Sequence, residues 1–121
     1  MNYIFGRDET REGWILIRCF NINGEEMGRI LYSEPTPDDN DIHIQKLHTD
    51  PSYRGYHISY LLLEHLKALS VSEYNSAQIN VFINPLEPKI CLEKLIKIYR
   101  KNGFTVKQIS HDQAWGYFRP K

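Results

Sequence analysis

Residues 47–59 have the composition and spacing of an anion-binding turn. An apolar strand end passes through Asp50-Pro51 to Arg54-Gly55, and the apolar spacing typical of a helix begins at Ile58. The first amides of a helix have no acceptor within the helix, and the helix dipole adds partial positive charge there. Such a turn suits a phosphate or pyrophosphate, while Arg54 adds charge and Gly55 lets the backbone approach a ligand closely. From these residues alone, an ordinary strand-to-helix turn with a solvated arginine remains an open alternative.

Acid–base side chains lie on the strand that leads into this turn. Strict alternation along the strand predicts two faces, one with Asp41, His43, Gln45 and Leu47 and the other with Ile42, Ile44 and His48. A carboxylate or an imidazole in this position could accept a proton from a reacting group. Polar side chains on a half-exposed strand are usually only solvated, so a catalytic role for Asp41 or His43 competes with a structural one.

Composition and charge exclude several classes of function. The 121 residues predict a single domain over residues 1–121, and 41% hydrophobic with 25% charged residues is typical of a globular protein in water. Fifteen basic residues balance fifteen acidic ones without a Lys/Arg run, so no nucleic-acid partner is expected through a diffuse basic field. A local basic groove stays open, because net charge does not describe distribution.

The cysteines and the apolar segments indicate where the chain resides. Cys19 and Cys91 lack metal-ligand spacing, and a disulfide framework would normally need more cysteines, so we expect two reduced thiols and no metal site. The first residues lack a secretory pattern, and no apolar stretch reaches the length of a membrane span. A cytoplasmic protein with no membrane partner is therefore expected.

The apolar pattern predicts the elements that hold the turn. It gives a loosely structured lead-in at 1–12, strands at 14–22, 25–33, 41–49, 77–83, 104–109 and 114–118, and helices at 58–69 and about 89–101. Asn23-Gly24 is a hairpin turn signal, and Asn102-Gly103 is a natural helix C-cap. The order β-β-β-α-β-α-β-β predicts an α/β (α+β) domain with its helices packed on one mixed sheet.

Two segments together resemble the GNAT N-acetyltransferase superfamily. In that family a strand reading L-x-V-x-P-x-x-R-G-x-G-I-G runs into a CoA-binding helix. The positions that match this pattern or carry near equivalents are Leu47, Thr49, Pro51, Tyr53, Arg54, Gly55 and Ile58. Residues 98–104 resemble the family's L-Y-x-x-x-G-F helix end. The resemblance implies a mixed, mostly antiparallel sheet with two main helices and a short N-terminus that lacks the family's usual first helices.

The resemblance also implies a co-substrate and residue roles. Acetyl-CoA would supply an acetyl group to an amine acceptor, a small molecule or a protein, by direct attack on the thioester. The residues implied to bind it are Leu47, His48 and Thr49 at the pantetheine and thioester, and Arg54, Gly55, Tyr56, His57, Ile58 and Ser59 at the pyrophosphate. Tyr99 matches the tyrosine that protonates the departing thiolate, and Asp41 is the nearest counterpart of a glutamate base. The alternative for Tyr99 is a packed aromatic residue at a helix end.

Two departures from the family pattern are visible. His57 and Ser59 replace the second and third glycines. Since a helix N-terminus has ordinary helical dihedral angles, neither position is expected to need a positive φ. Their side chains would either crowd the pyrophosphate, point away, or donate hydrogen bonds to it. The departures keep an alternative open, a non-catalytic GNAT-like CoA-binding or protein-interaction regulatory module, and a homodimer that covers the acceptor side also stays open.

Overall fold

In the part of the chain that the structure describes, seven strands form one sheet and two α-helices pack on the same face of it. The computed structural model describes residues 2–55, 57–85 and 91–120. The elements are β1 (Tyr3–Glu9), β2 (Ile15–Asn21), β3 (Glu26–Ser33), β4 (Ile42–Thr49), α1 (Ile58–Glu73), β5 (Ile79–Ile83), α2 (Leu92–Lys101), β6 (Thr105–Ser110) and β7 (Gln113–Phe118). The strand order is β1-β2-β3-β4-β5-β7-β6, and every neighbouring pair is antiparallel except β4 and β5. The predicted mixed, mostly antiparallel sheet with two main helices is confirmed.

The predicted lead-in at residues 1–12 is wrong, because β1 lies there. It pairs with β2 along its whole length, from Tyr3 opposite Asn21 to Glu9 opposite Ile15. As an edge strand it is mostly exposed and carries charged side chains, so it lacks the alternating apolar pattern of a half-buried strand. Arg7 ties it to the end of α1 by donating to Glu73 at 2.7 Å.

The core lies between the helices and one face of the sheet. Alternate residues of β2 to β5 turn their side chains to that face, where α1 contributes Leu62, Leu63 and Leu66, all fully buried. Lys67 of α1 donates to the carbonyl of Asn102 at the end of α2, which shows that the two helices adjoin. Of the residues described, no helix has both the length and the apolar character to cross a bilayer.

A β-bulge in β4 changes which side chains share a face. Leu31 of β3 is opposite Lys46, whereas the next residue, Tyr32, is opposite Ile44, so Gln45 is an extra residue without a partner on β3. After the bulge, Leu47 lies on the helix side with Ile44. The predicted alternation is therefore wrong beyond residue 44, because it placed Leu47 with Asp41.

His48 changes face for the same reason. It is opposite Arg29, which puts it on the face away from the helices together with Asp41 and His43. Strict alternation had predicted the opposite face from Asp41. A bulge adds one residue without altering the apolar or polar character of its neighbours, so the apolar pattern contains no sign of it.

The strands β4 and β5 are joined over a short distance only. Their parallel pairing is restricted to Ile42 with Ile79, His43 with Asn80, and Ile44 with Val81. The last paired residue of β4 is Ile44, and the strands separate from Gln45, the bulge residue, onward. The backbone groups of β4 that face β5 beyond this point are left without a sheet partner.

Candidate functional site

A cavity of about 440 Å³ opens where β4 and β5 separate. Its volume is within the range of small-molecule and cofactor sites. Its walls come from the end of β4, the end of β5, the turn before α1, and one side of α2. The described lining residues are Ile44, Gln45, Lys46, Leu47, His48, Thr49, Arg54, Gly55, Ile58, Val81, Phe82, Ile83, Asn84, Pro85, Lys94, Leu95, Ile98 and Tyr99.

The N-terminus of α1 lies at one wall of this cavity. Its N-cap residue, His57, makes no side-chain capping hydrogen bond, and the first turn holds no acidic residue. The first helical bond runs from the amide of Leu61 to the carbonyl of His57, so the amides before Leu61 have no helical acceptor. These amides and the helix dipole favour an anion at this wall.

The charged side chains around the cavity have one sign. Within the part of the lining that the structure describes, the residues that can carry a positive charge are Lys46, His48, Arg54 and Lys94, and no residue is a carboxylate. An anionic ligand would therefore meet no like charge from these residues, and its negative groups would gain from Arg54 next to the helix end. The electrostatics and the helix terminus point to the same class of ligand.

His57 does not have the dihedral angles expected of it. Its φ of 61° and ψ of 30° lie in the left-handed region, and Gly55, two residues earlier, has a φ of 98°. The expectation of ordinary helical angles is wrong for His57, because His57 is the N-cap residue before α1 and not part of its first turn, whereas Ser59 lies within the helix. A left-handed conformation costs a residue with a β-carbon roughly 1–2 kcal/mol, although histidine adopts it more readily than most residues. Glycine would fit this position without strain.

Ser59 turns its side chain to the strand. Its Oγ lies 2.9 Å from Oγ1 of Thr49, and either hydroxyl can be the donor. The pair joins the first turn of α1 to the last residue of β4, so Ser59 fixes the helix against the cavity wall. The Ser59 hydroxyl is therefore hydrogen-bonded within the protein.

Tyr99 lies on the α2 side of the cavity. Only 4% of it is exposed, and its ring packs edge-on against Phe104 with centroids 5.3 Å apart. Burial raises the pKa of its hydroxyl well above the ordinary value, so the hydroxyl stays protonated at neutral pH. The helix end that holds it is closed by Asn102, whose side chain donates to the carbonyl of Ile98 at 2.8 Å. Tyr99 is thus a neutral donor at a fixed position.

Asp41 lies at the start of β4, outside the described lining of the cavity. Its Oδ2 accepts a hydrogen bond of 2.9 Å from Asn80, and Asn80 in turn accepts one of 2.7 Å from Gln78. Asn80 is only 7% exposed although it is polar. Sequence reasoning missed it, and the available signal was an asparagine in the middle of an apolar strand. By strand geometry, Asp41 is about 13 Å from the level at which the strands separate.

Asp39 and His43 form a second polar contact near the start of β4. Nε2 of His43 lies 2.7 Å from Oδ2 of Asp39, whose Oδ1 accepts the amide of Asp41. These contacts, the amide of Asp41 first, hold the pKa of the Asp39 carboxyl below its ordinary value. Asp39 therefore caps the entry to β4 and holds the imidazole.

The structure brings most of the residues selected from the sequence to one place. The residues of that set on the cavity lining are Leu47, His48, Thr49, Arg54, Gly55, Ile58 and Tyr99. His57 and Ser59 are at the beginning of α1, beside the lining, whereas Asp41 is separate from it. Tyr56 lies outside the described residues.

Comparison with known proteins gives matches in structure and none in sequence. No protein-family model matches the chain, and no curated protein matches its sequence. The IAA acetyltransferase from Bacillus cereus superposes with a TM-score of 0.73 at 12% identity, over 98% of this chain and 100% of that one. An acetyltransferase of the GNAT family from Staphylococcus aureus gives 0.67 at 19% identity, over 89% and 68%. The chain has the GNAT fold.

Other GNAT structures are longer than this chain. The PaiA N-acetyltransferase from Thermoplasma acidophilum, solved in complex with coenzyme A, superposes with a TM-score of 0.68 at 15% identity. The match covers 87% of this chain but 60% of PaiA. At these sequence identities the proteins share the GNAT fold, and a shared fold does not imply a shared substrate.

Proposed function

We propose that this protein is an acetyl-CoA-dependent N-acetyltransferase that transfers the acetyl group by direct attack of an amine on the thioester. One observation carries the proposal: a single cavity is lined at one wall by the start of α1, which has no side-chain cap, and at another by the buried residue Tyr99. The first suits a pyrophosphate and the second a leaving thiolate, which are two parts of one molecule.

The cavity residues fit acetyl-CoA as a co-substrate. The pyrophosphate would be bound by the first amides of α1 and by Arg54, with Gly55 allowing close approach. The amides of the pantetheine arm would pair with β4 along residues 47–49, in the manner of an added strand, because the pairing of β4 with β5 ends at Ile44. PaiA, which has the same fold, was solved with coenzyme A.

In the proposed reaction Tyr99 stabilises the leaving group. The acceptor amine forms the C–N bond while the C–S bond breaks, and the sulfur leaves with the electron pair. Tyr99 donates a hydrogen bond to the developing thiolate and delivers its proton as the charge accumulates. The raised pKa keeps the proton on Tyr99 until then, although it also makes the phenol a weaker acid.

The proton of the amine needs a separate acceptor. We propose Asp41, held by Asn80, as that base, acting through water because of its distance from the point where the strands separate. Its carboxylate stands on the face of the sheet away from the helices. Transfer to water alone is the alternative, and an Asp41→Asn variant with unchanged turnover would favour it.

The substitution Tyr99→Phe tests the mechanism, because it removes the hydroxyl and keeps the ring against Phe104. We expect acetyl-CoA at a hundred times its Kd to stabilise both proteins by about 2.7 kcal/mol, measured by calorimetry and thermal denaturation. Turnover, followed by thiol release with a panel of amines, should fall on the order of a hundredfold in the variant, in kcat more than in KM. Full turnover in Tyr99→Phe would remove Tyr99 from the mechanism.

A non-catalytic CoA-binding or protein-interaction module is the second candidate. It is favoured by His57 and Ser59 at the positions of the two family glycines, and by the strain at His57. Under this alternative the wild-type protein binds acetyl-CoA but releases no thiol with any amine. Absence of acetyl-CoA binding at millimolar concentration would overturn the acetyltransferase and the CoA-binding form of the second candidate, and leave the protein-interaction module.

A further inference from the structure

The face of the sheet away from the helices, called here the outer face, carries a row of aromatic side chains. Phe82 of β5 is directly opposite Trp115 of β7, and the rings of Trp115 and Tyr117 have centroids 5.2 Å apart. Phe82 is 53% exposed and Trp115 39%. Large aromatic residues grouped on a surface commonly mark a binding site, since each offers apolar area with little loss of conformational freedom. We call these three residues the aromatic strip.

The strip is continuous with the cavity. Phe82 belongs to both, because it lines the cavity at the point where β5 separates from β4. A molecule lying on the strip could therefore extend one end between the strands toward the space beside Tyr99. The cofactor groups assigned above occupy the helix side, so the outer face is the side from which a second substrate can enter.

The charges beside the strip select against a polycation. Lys107 of β6 is directly opposite Trp115, and the guanidinium of Arg119 lies over the ring of Tyr117 at 5.0 Å. The strands β5, β6 and β7 contain no Asp or Glu. Of the described residues, two carboxylates near the ends of the strip are hydrogen-bonded, Asp41 to Asn80 and Asp112 to Ser110, each at 2.9 Å. A second positive charge on a ligand lying over Trp115 and Tyr117 would be close to Lys107 and Arg119.

We propose that the aromatic strip is the acceptor site and that the acceptor is an aralkylamine, a monoamine joined by a short chain to a planar ring. The ring stacks on Phe82 and Trp115, and the amine enters between β4 and β5. The inference rests on the proposed acetyltransferase function and adds the class of acceptor. Stacking and burial of a ring supply affinity, whereas an extended polyamine gains little from the strip and is repelled by Lys107.

A comparison of three acceptors tests the proposal: phenethylamine or tryptamine as aralkylamines, hexylamine as an apolar amine without a ring, and spermidine as a polycation. We expect kcat/KM to be at least tenfold higher for the aralkylamines than for spermidine. Phe82→Ala and Trp115→Ala should each lower kcat/KM for aralkylamines about tenfold, from the loss of one ring contact. Trp115→Ala should leave the Kd of acetyl-CoA unchanged, because Trp115 is outside the described lining of the cavity.

Tyr3→Ala is the matched control, because Tyr3 is an aromatic residue of equal exposure, 40%, on the distant edge strand β1. It should not change kcat/KM for any acceptor. If Trp115→Ala melts too low to assay, Phe82→Ala decides, since its side chain is more exposed. A preference for spermidine, or Phe82 and Trp115 variants that behave like Tyr3→Ala, would overturn the proposal while the acetyltransferase function stands.

A binding measurement separates this inference from the proposed function. The chain has two tryptophans, so the fluorescence of a Trp14→Phe variant reports Trp115 alone. With coenzyme A present, phenethylamine should change that fluorescence in a saturable way, and spermidine should not. This result without turnover would support the acceptor site and count against catalysis. No change with any aralkylamine would reject the site.

Discussion

Gly28 is the position where one added methyl group should damage both the fold and the site. A Cβ there would lie 2.7 Å from the carbonyl oxygen of His48 and 2.9 Å from Cγ2 of Ile58. The oxygen belongs to the backbone of β4 and cannot rotate away, so Gly28→Ala must move β3, β4 or the start of α1. Inserting a methyl group into a filled core costs typically 1–3 kcal/mol, and this contact belongs at the upper end.

The expected size follows from that contact. Alanine also lowers the conformational entropy of the unfolded chain, which stabilises the protein by about 0.4–1 kcal/mol. The free energy of unfolding should therefore fall by about 2 kcal/mol in total. Unfolding entropy of about 2.1 cal/mol/K per residue gives about 0.25 kcal/mol/K for 121 residues, and Tm should fall by about 8 °C. Because His48 and Ile58 both line the cavity, the affinity for acetyl-CoA should fall as well.

The assay is thermal denaturation of Gly28→Ala together with Gly6→Ala, each followed by calorimetric titration with acetyl-CoA. At Gly6 an added Cβ would meet only the end of the Phe20 ring, at 3.0 Å, and that side chain can shift. Gly6→Ala should therefore melt within about 2 °C of the wild type and keep its affinity. If Gly28→Ala did the same, the reasoning from close approach of β3 to α1 would be refuted.

Two further predictions concern a strained histidine, His57, and a half-buried one, His65. His57→Gly should raise Tm by a few degrees by removing about 1 kcal/mol of left-handed strain, whereas His57→Ala should not; equal melting of the two variants would contradict the strain. Burial, with a contribution from Arg7, lowers the pKa of His65, which stacks on Phe5 at 4.0 Å. Since its native pKa is below its unfolded value, this contribution to stability is present above the unfolded pKa and is lost as pH falls through the native pKa. Between pH 7.5 and 5, the Tm of His65→Phe should therefore fall less than the Tm of the wild type. Equal falls in Tm would exclude His65 as the source of the pH dependence.

The order of elements after residue 13 could be predicted because each has a periodic apolar pattern or a clear terminator. Asn23-Gly24 gave the β2–β3 hairpin, and Asn102-Gly103 gave the end of α2, where Gly103 indeed has a φ of 88°. The strand β1 could not be predicted, because its stability comes from pairing with β2 rather than from its own sequence. Local pattern detects elements that bury a face and misses those that only extend a sheet.

The candidate site was predictable where it depends on a short motif and unpredictable where it depends on backbone geometry. Arg54 and Gly55 came from the turn motif and Tyr99 from the resemblance to the GNAT helix end, and all three line the cavity. The bulge at Gln45 could not be predicted from the residue pattern, although it determines on which face of the sheet His48 lies. Asn80 contacts Asp41 through the pairing of β4 with β5, a relation between residues 39 positions apart.

The short seam between β4 and β5 has a consequence for how the molecule holds together. Strands β1 to β4 with α1 are contiguous in sequence, whereas β7 must insert between β5 and β6 before the other half of the sheet exists. The two halves share one main-chain ladder of three residue pairs, at the edge of the cavity. A ligand bound there contacts both halves of the sheet and adds to the few interactions that hold them together. Its binding should convert partial, half-by-half opening of the native state into a single cooperative transition.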